Sequence, residues 1–343
     1  MKRVEVAIIG GGPAGASCAI ELAKHGVYAT IFDHSHPREK PCAGGISTQV
    51  IKKFPFLETF RSIGFALSDF KIISYNDIQV MTKKCDYGFC VSRMLFDQGI
   101  LSMALEKGAK LAKEKVLDVK KARSGWKIRT NKEFRFVRIL VGADGVNSVV
   151  RRNTVGPISK ENLALTFGYR AISVEDVQPT IKFLGEIPGY IWVFPGNNYV
   201  NIGLGSELNY GNMLKKLLDD FIHSNYSGIK ILSKYAALLP SAKTPEFFSL
   251  PCSGKDWILV GDAAGHVDPT TGGGIFYALS GGRLAALAIK ENEVNSYDNM
   301  WRKEYGHTLI RSAKKKEESY DPVWSTILIL LGLANKTFFK TSA

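Results

Sequence analysis

Apolar runs bounded by glycine or polar residues form one recurring pattern in this chain. They alternate with segments that carry apolar residues on one side at helical spacing. The pattern predicts strands at residues 4–9, 27–32, 137–141 and 257–260, and helices at residues 16–24, 93–107 and 275–290. Single strands separated by helices are typical of an open, Rossmann-like α/β sheet.

A second pattern extends from residue 163 to about residue 250, where short strand-like runs follow one another across glycine, proline and asparagine turns. Without helices between them, such runs predict a mostly antiparallel sheet. Its strands are predicted at residues 165–171, 180–184, 189–194 and 199–204, with helices at residues 213–223 and near 229–238. Further predictions are a hairpin of residues 70–74 and 78–83 and a meander of residues 111–119, 126–130 and 133–136.

Elements of the first pattern occur at the start, in the middle and near the end of the chain, so we predict two interleaved domains. A chain of 343 residues is long enough for both. The first would be a discontinuous, Rossmann-like α/β domain, and the second an inserted, mostly antiparallel β-sheet domain that binds the substrate. The predicted bounds are residues 1–68, 86–160 and 247–292 for the first domain, 69–85 and 161–246 for the second, and 293–343 for a C-terminal helical segment.

Composition narrows the class of protein. Hydrophobic residues at 45% and charged residues at 22% are ordinary for a globular protein, and the net charge of +13 favours anionic partners. Five scattered cysteines without a C-x-x-C pair argue against a disulfide framework or a metal site and indicate a reducing compartment. No apolar stretch reaches the roughly 20 residues of a membrane-spanning helix. We therefore expect a cytoplasmic protein that does not bind nucleic acid.

The turn after the first strand carries the most informative motif. Its G-x-G-x-x-G pattern consists of Gly10, Gly12, Pro13, Ala14 and Gly15 with the intervening Gly11. The three motif glycines allow a tight turn, close approach of the backbone to a pyrophosphate, and close packing of helix on strand. The following helix presents free N–H groups and the positive end of its dipole to the phosphates. Asp33 ends the second strand at a spacing that predicts binding of adenosine ribose hydroxyls.

Two further elements accompany this motif, the loop Gly142-Ala143-Asp144-Gly145 and the segment Gly261-Asp262-Ala263-Ala264-Gly265. Together the three elements resemble the FAD-dependent oxidoreductases of the aromatic-hydroxylase fold. The resemblance implies that FAD is the cofactor, that Asp262 binds its ribityl or pyrophosphate part, and that residues 272–275 meet its isoalloxazine ring. Arg93 matches an arginine near the FAD phosphates, with a solvated helix arginine as the alternative. The cofactor-binding residues implied are Gly10, Gly12, Pro13, Ala14, Gly15, Asp33, Ala43, Gly44, Gly45, Arg93, Asp144, Gly261, Asp262, Gly273, Gly274 and Ile275.

Two further stretches narrow the family, Lys40-Pro41-Cys42-Ala43-Gly44-Gly45 and Tyr190-Ile191-Trp192-Val193-Phe194-Pro195. They resemble the geranylgeranyl reductases, including the archaeal enzymes that saturate digeranylgeranylglycerophospholipids. The resemblance implies an FAD-dependent reductase of C=C bonds in prenyl chains. On a strand, Tyr190, Trp192 and Phe194 share one face. With Pro195 at the strand end, they are expected to form a wall of an apolar substrate tunnel, and plain core packing is the alternative. Many relatives have glutamate where this chain has Asp33, and an acidic residue in place of Gly273.

Cys42 is the candidate catalytic residue. A thiol of ordinary pKa, about 8.5, keeps its proton at neutral pH and can donate it to a carbon atom. The alternative role for Cys42 is that of a small buried hydrophobic residue. His266 and Asp268 follow the third FAD element, but the polarity of a loop explains them equally well.

Other partners and functions stay open. An external electron donor is expected, either NAD(P)H or a small redox protein. No second G-x-G-x-x-G motif marks a stable nicotinamide domain, so the sequence does not decide between them. Peripheral contact with an anionic membrane is expected from the run Lys314-Lys315-Lys316 and the apolar residues 326–334. One alternative function is a flavin monooxygenase or halogenase, and another is a carrier that binds prenyl groups without catalysis. The carrier is disfavoured because it needs no flavin.

Overall fold

The computed structural model describes residues 2–82, 84–173, 176–226 and 228–320. The chain forms two compact units, each assembled from separated stretches of sequence. The first unit comprises the residues up to Arg38, Met94–Asn162 and Pro240–Ala313. The second comprises Glu39–Arg93, Leu163–Leu239 and, of the described residues after Ala313, residues 314–320. The ligands assigned to the predicted domains, and the bounds of those domains, stay predictions.

The strands come from every part of the described chain and most are short. They are β1 (Lys2–Ile9), β2 (Thr30–Phe32), β3 (Gly45–Ser47), β4 (Phe65–Leu67), β5 (Lys71–Ile73), β6 (Gln79–Met81), β7 (Gly88–Cys90), β8 (Lys110–Ala112), β9 (Val116–Ala122), β10 (Gly125–Thr130), β11 (Phe134–Gly142), β12 (Leu163–Ile172), β13 (Thr180–Phe183), β14 (Gly189–Gly196), β15 (Tyr199–Glu207), β16 (Lys230–Pro240), β17 (Ser253–Gly254) and β18 (Trp257–Leu259).

The helices alternate with the strands of the first unit and are sparse in the second. They are α1 (Pro13–Lys24), α2 (Thr48–Lys53), α3 (Arg93–Glu106), α4 (Val149–Arg152), α5 (Gly211–Asn225), α6 (Ile275–Lys290), α7 (Tyr297–Trp301) and α8 (His307–Tyr320). A π-helical turn, Arg302–Gly306, joins α7 to α8, and 3₁₀ turns occur at Pro55–Ile63, Lys160–Asn162, Leu208–Tyr210, Pro245–Ser249, Gly261–Ala263 and Val294–Ser296.

The first unit contains the open sheet that the first sequence pattern predicts. Its strand order is β17-β18-β11-β1-β2-β8, and β9 and β10 continue from β11 as an antiparallel meander. The pairs β1–β11, β1–β2, β11–β18 and β2–β8 are parallel. Residues 6–9 of β1 are buried, as expected for a central parallel strand that reads as one apolar run. The Rossmann-like fold class is confirmed.

The second unit contains a seven-stranded sheet of order β16-β12-β15-β14-β13-β5-β6. Its pairs β12–β15, β14–β15 and β13–β14 are antiparallel, whereas β13 and β5 are parallel. Leu214 and Leu218 of α5 pack with Ile191, Val193 and Ile202 in the core of this unit. A separate small sheet has the order β3-β7-β4. The prediction of a mostly antiparallel second sheet is confirmed.

Three sequence-based element predictions are wrong. Residues 229–238 were expected to be helical but contribute to β16, because hydrogen bonding to β12 outweighs their helix propensity. The run 111–119 is two strands: β8 pairs with β2 and β9 pairs with β10, and the chain bends between them. Residues 133–136 and 137–141, predicted separately, lie in the single strand β11.

The chain after residue 293 is helical through α8, as predicted for the C-terminal segment. The predicted apolar stretch, residues 326–334, lies outside the described residues. Within the part of the chain that is described, no helix combines the length and the apolar character needed to cross a membrane.

Candidate functional site

The turn between β1 and α1 leaves the start of the helix open to a ligand. Helix α1 begins at Pro13 with Gly12 as its N-cap, and no side chain caps its N–H groups. Gly10 has a φ of +102°, and a Cβ atom there would lie 2.3 Å from the carbonyl oxygen of Ala143. A Cβ atom on Gly15 would lie 2.0 Å from the carbonyl oxygen of Gly10. A Cβ atom on Gly12 would meet no atom of the described chain within 4 Å. Packing requires Gly10 and Gly15, whereas Gly12 opens a space that fits a phosphate group.

Backbone packing also brings the Gly261–Gly265 segment to helix α1. Gly261 has a φ of +58°, and a Cβ atom there would lie 3.1 Å from the Cβ atom of Ala14. A Cβ atom on Gly282 of α6 would lie 2.2 Å from the carbonyl oxygen of Ala14. The first and third sequence elements of the predicted cofactor site therefore meet around Ala14.

The start of α6 forms a second open helix end in the same unit. Helix α6 begins at Ile275 after Gly274, and no side chain caps it. A Cβ atom on Gly274 would lie 3.5 Å from Oδ1 of Asp262, so the carboxylate is beside the first turn. The preceding Gly273 is exposed. Two uncapped helix starts and one carboxylate are a donor and acceptor set that fits the phosphates and hydroxyl groups of FAD.

Asp33 lies after the end of β2, but its carboxylate already accepts hydrogen bonds from nearby residues of the same chain. Oδ2 accepts a hydrogen bond of 2.6 Å from the Gly11 N–H, and Oδ1 accepts bonds of 2.7 Å from the N–H and the hydroxyl of Ser35. Burial opposes the charge, but the neighbouring His36 ring and the hydrogen bond from Gly11 outweigh it and hold the pKa of Asp33 well below its usual range. A ribose hydroxyl would have to displace one of these donors. The ribose contact of Asp33 stays a prediction.

Asp144 caps helix α4 at the carboxyl edge of the sheet. Its Oδ1 accepts from the Ser148 hydroxyl, and its Oδ2 accepts a 2.7 Å bond from the Val149 N–H. The following helix carries Arg151, which is buried and donates to the carbonyl oxygen of Ala263 at 3.2 Å. Arg151 therefore ties the second sequence element to the third, a connection that the sequence does not indicate.

His266 and Asp268 hold the loop before α6 from within the core. The His266 side chain is buried, with Nδ1 3.0 Å from the Tyr305 hydroxyl and Nε2 3.6 Å from Sγ of Cys252. Burial lowers the pKa of His266 to about 3, so the ring is neutral. Asp268 accepts a 2.9 Å bond from the Ser312 hydroxyl. Both residues are engaged in internal contacts, and loop structure accounts for them.

The Cys42 loop belongs to the second unit, and its conformation depends on Gly44. Gly44 has a φ of +80°, and a Cβ atom there would lie 2.3 Å from the carbonyl oxygen of Val91. The Gly44 N–H donates to Sγ of Cys42 at an N···S distance of 3.4 Å. Cys42 and Ala43 are half-buried and Gly45 is exposed. Sγ of Cys42 thus accepts a hydrogen bond from a backbone N–H whose position is set by the loop.

A buried amide links this loop to the aromatic strand. Asn201 on β15 donates from Nδ2 to the carbonyl oxygen of Cys42 at 3.0 Å. Its Oδ1 accepts a 2.8 Å bond from Nε1 of Trp192 and a 2.7 Å bond from the hydroxyl of Tyr235. Sequence reasoning missed both Asn201 and Tyr235.

Tyr190, Trp192 and Phe194, the aromatic row, occupy alternate positions of β14, and their role as a wall of a substrate tunnel stays a prediction. The Tyr190 and Trp192 ring centroids are 6.0 Å apart, and Phe194 contacts Phe70 at 5.7 Å. A Cβ atom on Gly45 would lie 3.2 Å from the Phe194 ring, so the Cys42 loop borders this row. The alternating residues Ile191 and Val193 lie in the core with α5, and Pro195 pairs with Val200.

Arg93 lies in the second unit at the start of α3, and it is only 3% exposed. The backbone N–H of Arg93 donates to Oε1 of Glu39 at 2.9 Å, and the Ser92 hydroxyl donates to Oε2. Arg170 also donates to this carboxylate, at 2.7 Å. The alternative of a solvated helix arginine is wrong, and contact of Arg93 with FAD phosphates stays a prediction.

Comparison with known proteins adds independent information. A family model described as an FAD-binding domain matches residues 3–67. The chain is 30% identical over 332 residues to the digeranylgeranylglycerophospholipid reductase of Thermoplasma acidophilum, covering 89% of this chain and 83% of that protein. A geranylgeranyl bacteriochlorophyll reductase-like structure from Thermoplasma acidophilum has a TM-score of 0.82 at 26% identity, over 92% of this chain and 87% of its own.

A more distant solved structure shares the fold alone. The flavin-dependent brominase Bmp2 has a TM-score of 0.73 at 20% identity, over 97% of this chain and 94% of its own. The FAD-binding family match agrees with the open helix start at Gly12. The cofactor of this chain is FAD.

Proposed function

Since the chain belongs to the geranylgeranyl reductase family, which includes the digeranylgeranylglycerophospholipid reductases, we propose that it hydrogenates C=C bonds of prenyl chains on membrane lipids. It is an FAD-dependent oxidoreductase. When bound, reduced FAD supplies the hydride. The protein then has to hold the cofactor, supply a proton and bind an apolar chain without water.

The first unit supplies the residues that hold FAD in this proposal. The uncapped start of α1 at Gly12 offers N–H groups to the pyrophosphate. Asp262 accepts hydrogen bonds from ribityl hydroxyls, and the start of α6 at Gly274 and Ile275 stabilises negative charge on the ring. The contact between Gly261 and Ala14 keeps these groups in one arrangement.

Cys42 supplies the proton. Hydrogenation turns the C=C π bond into two C–H bonds, so one carbon receives a hydride and the other a proton. The S–H bond of Cys42 breaks as the second C–H bond forms, and its electron pair stays on sulfur. The Gly44 N–H, at 3.4 Å from Sγ, stabilises that negative charge, and water then returns a proton.

The contact between the Cys42 loop and the aromatic row carries this proposal. Gly45 borders the Phe194 ring, so a chain bound along the row passes the thiol. Burial of each CH₂ group contributes about 0.8 kcal/mol, which a long prenyl chain multiplies many times. An unactivated double bond needs this binding energy for alignment and exclusion of water.

Two further parts of the proposal concern partners. The electrons come from an external donor, either NAD(P)H or a small redox protein. The lipid substrate is reached by peripheral contact with an anionic membrane, which the net charge of +13 favours.

The test is reduction without O₂. FAD-loaded protein is reduced with dithionite under anaerobic conditions and given a geranylgeranyl glycerophospholipid, and the products are resolved by mass in steps of two hydrogens. We expect saturated products. No saturation, together with hydroxylated or halogenated products in air, would assign the chain to the monooxygenases or halogenases. Binding without reaction under both conditions would indicate a carrier.

Cys42→Ser tests the proton donor in the same assay. Serine is similar in size but is a far weaker acid than a thiol. Because general acid catalysis contributes roughly 100- to 10,000-fold, we expect turnover to fall by that range while the protein still binds FAD and accepts electrons from dithionite. Unchanged turnover and product pattern would show that Cys42 only packs.

A further inference from the structure

We infer that Asn201 is a positioning residue for Cys42, and that the indole N–H of Trp192 fixes Asn201 in turn. The inference rests on the proposed role of Cys42 as proton donor. It gives Trp192 a second role in addition to that of a wall for the prenyl chain.

The orientation of the Asn201 amide follows from the chemistry of its neighbours. The Trp192 indole has an N–H and no acceptor, so it can face only the amide oxygen. The Cys42 carbonyl oxygen is an acceptor only, so it can face only the amide NH₂. Burial raises the pKa of Tyr235, and its hydroxyl keeps a proton to donate to the amide oxygen. With the amide flipped, the Trp192 N–H would face another donor and the Cys42 carbonyl oxygen would face another acceptor.

Burial makes the arrangement rigid. Asn201 is 5% exposed and Trp192 is 6% exposed, so water is a poor substitute for their bonds. Two glycines make room for the rings around the amide. A Cβ atom on Gly203 would lie 2.3 Å from the Trp192 ring, and one on Gly168 would lie 2.4 Å from the Tyr235 ring.

This network reaches the loop at the residue that carries the thiol. The Asn201 bond holds the backbone of Cys42, and Gly44 holds Sγ two residues later. The amide thereby sets where the S–H bond points relative to a chain lying on the aromatic row. A displacement of about 1 Å in such a group costs on the order of 100-fold in rate.

The test uses FAD-loaded protein carrying Asn201→Ala, Asn201→Asp or Tyr235→Phe. The exposed Cys85 would also react with an alkylating reagent, so it is replaced by serine in every protein. The other cysteines besides Cys42 are buried, namely Cys18, Cys90 and Cys252. The first measurement is the rate of Cys42 alkylation by iodoacetamide as a function of pH, with the labelled peptide identified by mass. The second is anaerobic lipid reduction, with kcat separated from KM. FAD content and melting temperature check that each variant folds.

In Asn201→Asp, the side chain should still accept hydrogen bonds from Trp192 and Tyr235. It loses the N–H that donates to the Cys42 carbonyl oxygen, and it adds a negative charge. The midpoint pH of alkylation should rise by about one unit. Asn201→Ala should lower kcat by about 100-fold with KM within about twofold of wild type. Tyr235→Phe leaves the Trp192 bond in place and should lower kcat by less than about tenfold.

The alkylation measurement separates this inference from the proposed function. A folded Asn201→Ala protein whose Cys42 reacts at the wild-type rate, with the wild-type midpoint, overturns the inference whatever its activity. A wild-type protein that reduces no lipid overturns the proposed function. Altered alkylation in the Asn201 variants would still support positioning of Cys42 in that case.

Discussion

His36 is a single residue whose charge ties the stability of the first unit to pH. Its buried side chain places Nδ1 3.0 Å from Oδ2 of Asp33 and Nε2 3.9 Å from Oδ2 of Asp97. Burial disfavours the charged ring, but the two carboxylates outweigh burial and raise the pKa of His36 to about 9. Protonated His36 therefore helps to hold the loop that follows β2.

The raised pKa gives a testable dependence on pH. An unfolded histidine has a pKa of about 6.5, so the stabilisation is complete below pH 6.5 and is lost as pH rises through about 9. We expect His36→Asn to remove up to about 3 kcal/mol of unfolding free energy below pH 6.5, and much less at pH 9.5, in urea denaturation series. His34→Asn, at an exposed neighbouring position, is the control. Equal effects of His36→Asn at both pH values would contradict the assignment.

The sequence indicates candidate chemical groups better than it indicates what holds them. Cys42 and the aromatic residues of β14 could be named as candidates because their residue types and spacing form local patterns, and their roles stay predictions. Asn201 could not, because its partners Cys42 and Tyr235 are 159 and 34 residues away along the chain. The spacing of Asp33 predicts a ribose contact, but it gives no sign that Gly11 and Ser35 already bind the carboxylate.

Among the helices and strands, the close contact of α1 with α6 offers a sharp test. Gly281 and Gly282 are neighbours on α6 and both gain helix propensity, by about 1 kcal/mol, when replaced by alanine. At Gly282 a Cβ atom would lie 2.2 Å from the Ala14 carbonyl oxygen, which is backbone and cannot turn away. At Gly281 it would meet the hydroxyl ends of Tyr297 and Tyr305 at 3.0 Å.

We therefore expect Gly282→Ala to lower the free energy of unfolding by about 1–3 kcal/mol and to lower FAD occupancy, because it forces α6 away from the glycine turn. Gly281→Ala is the matched control and should change both much less. Denaturant titration and the flavin-to-protein absorbance ratio are the measurements. Equal occupancy in the two variants would show that the packing of α6 on α1 does not shape the cofactor site.

Strand β16 shows where sequence patterns fail at the scale of elements. Its residues include lysine, leucine and alanine, which favour helices, and they lack a clean alternation of apolar and polar positions. The strand is at the edge of its sheet and most of it is exposed, so burial imposes little pattern on it. Central strands such as β1 were predictable because they are buried on both faces.

At the scale of the whole molecule, the sequence predicts interleaved domains because the two hydrophobic patterns differ in kind. Alternation of strands and helices returns near Trp257, after a long stretch in which strand follows strand directly. The strand at Trp257 is therefore predicted to join the open sheet that begins at the start of the chain. Strand order was not predictable in the same way. The parallel pairing of β13 with β5 joins residues more than 100 positions apart, and no local signal in the sequence specifies it.

In the proposed contact with an anionic membrane, the net charge of +13 acts through the whole molecule, and α8 offers a local test of that contact. Lys314 and Lys315 on this helix are exposed. Lys316 is 5% exposed, with Nζ 3.5 Å from Oε1 of Glu207, so it contributes less than the sequence run suggests. Each basic residue near an anionic surface contributes about 1 kcal/mol.

We expect the protein to float with vesicles that contain anionic phospholipid and to float less with neutral vesicles, and we expect salt to weaken the binding. Lys314→Gln with Lys315→Gln should weaken binding to anionic vesicles by about 30-fold, the equivalent of about 2 kcal/mol. Lys107→Gln with Lys110→Gln removes the same charge from two other exposed positions and is the control. If both pairs weaken binding equally, net charge alone drives it and α8 is not the contact. If salt changes nothing, the attraction is not electrostatic.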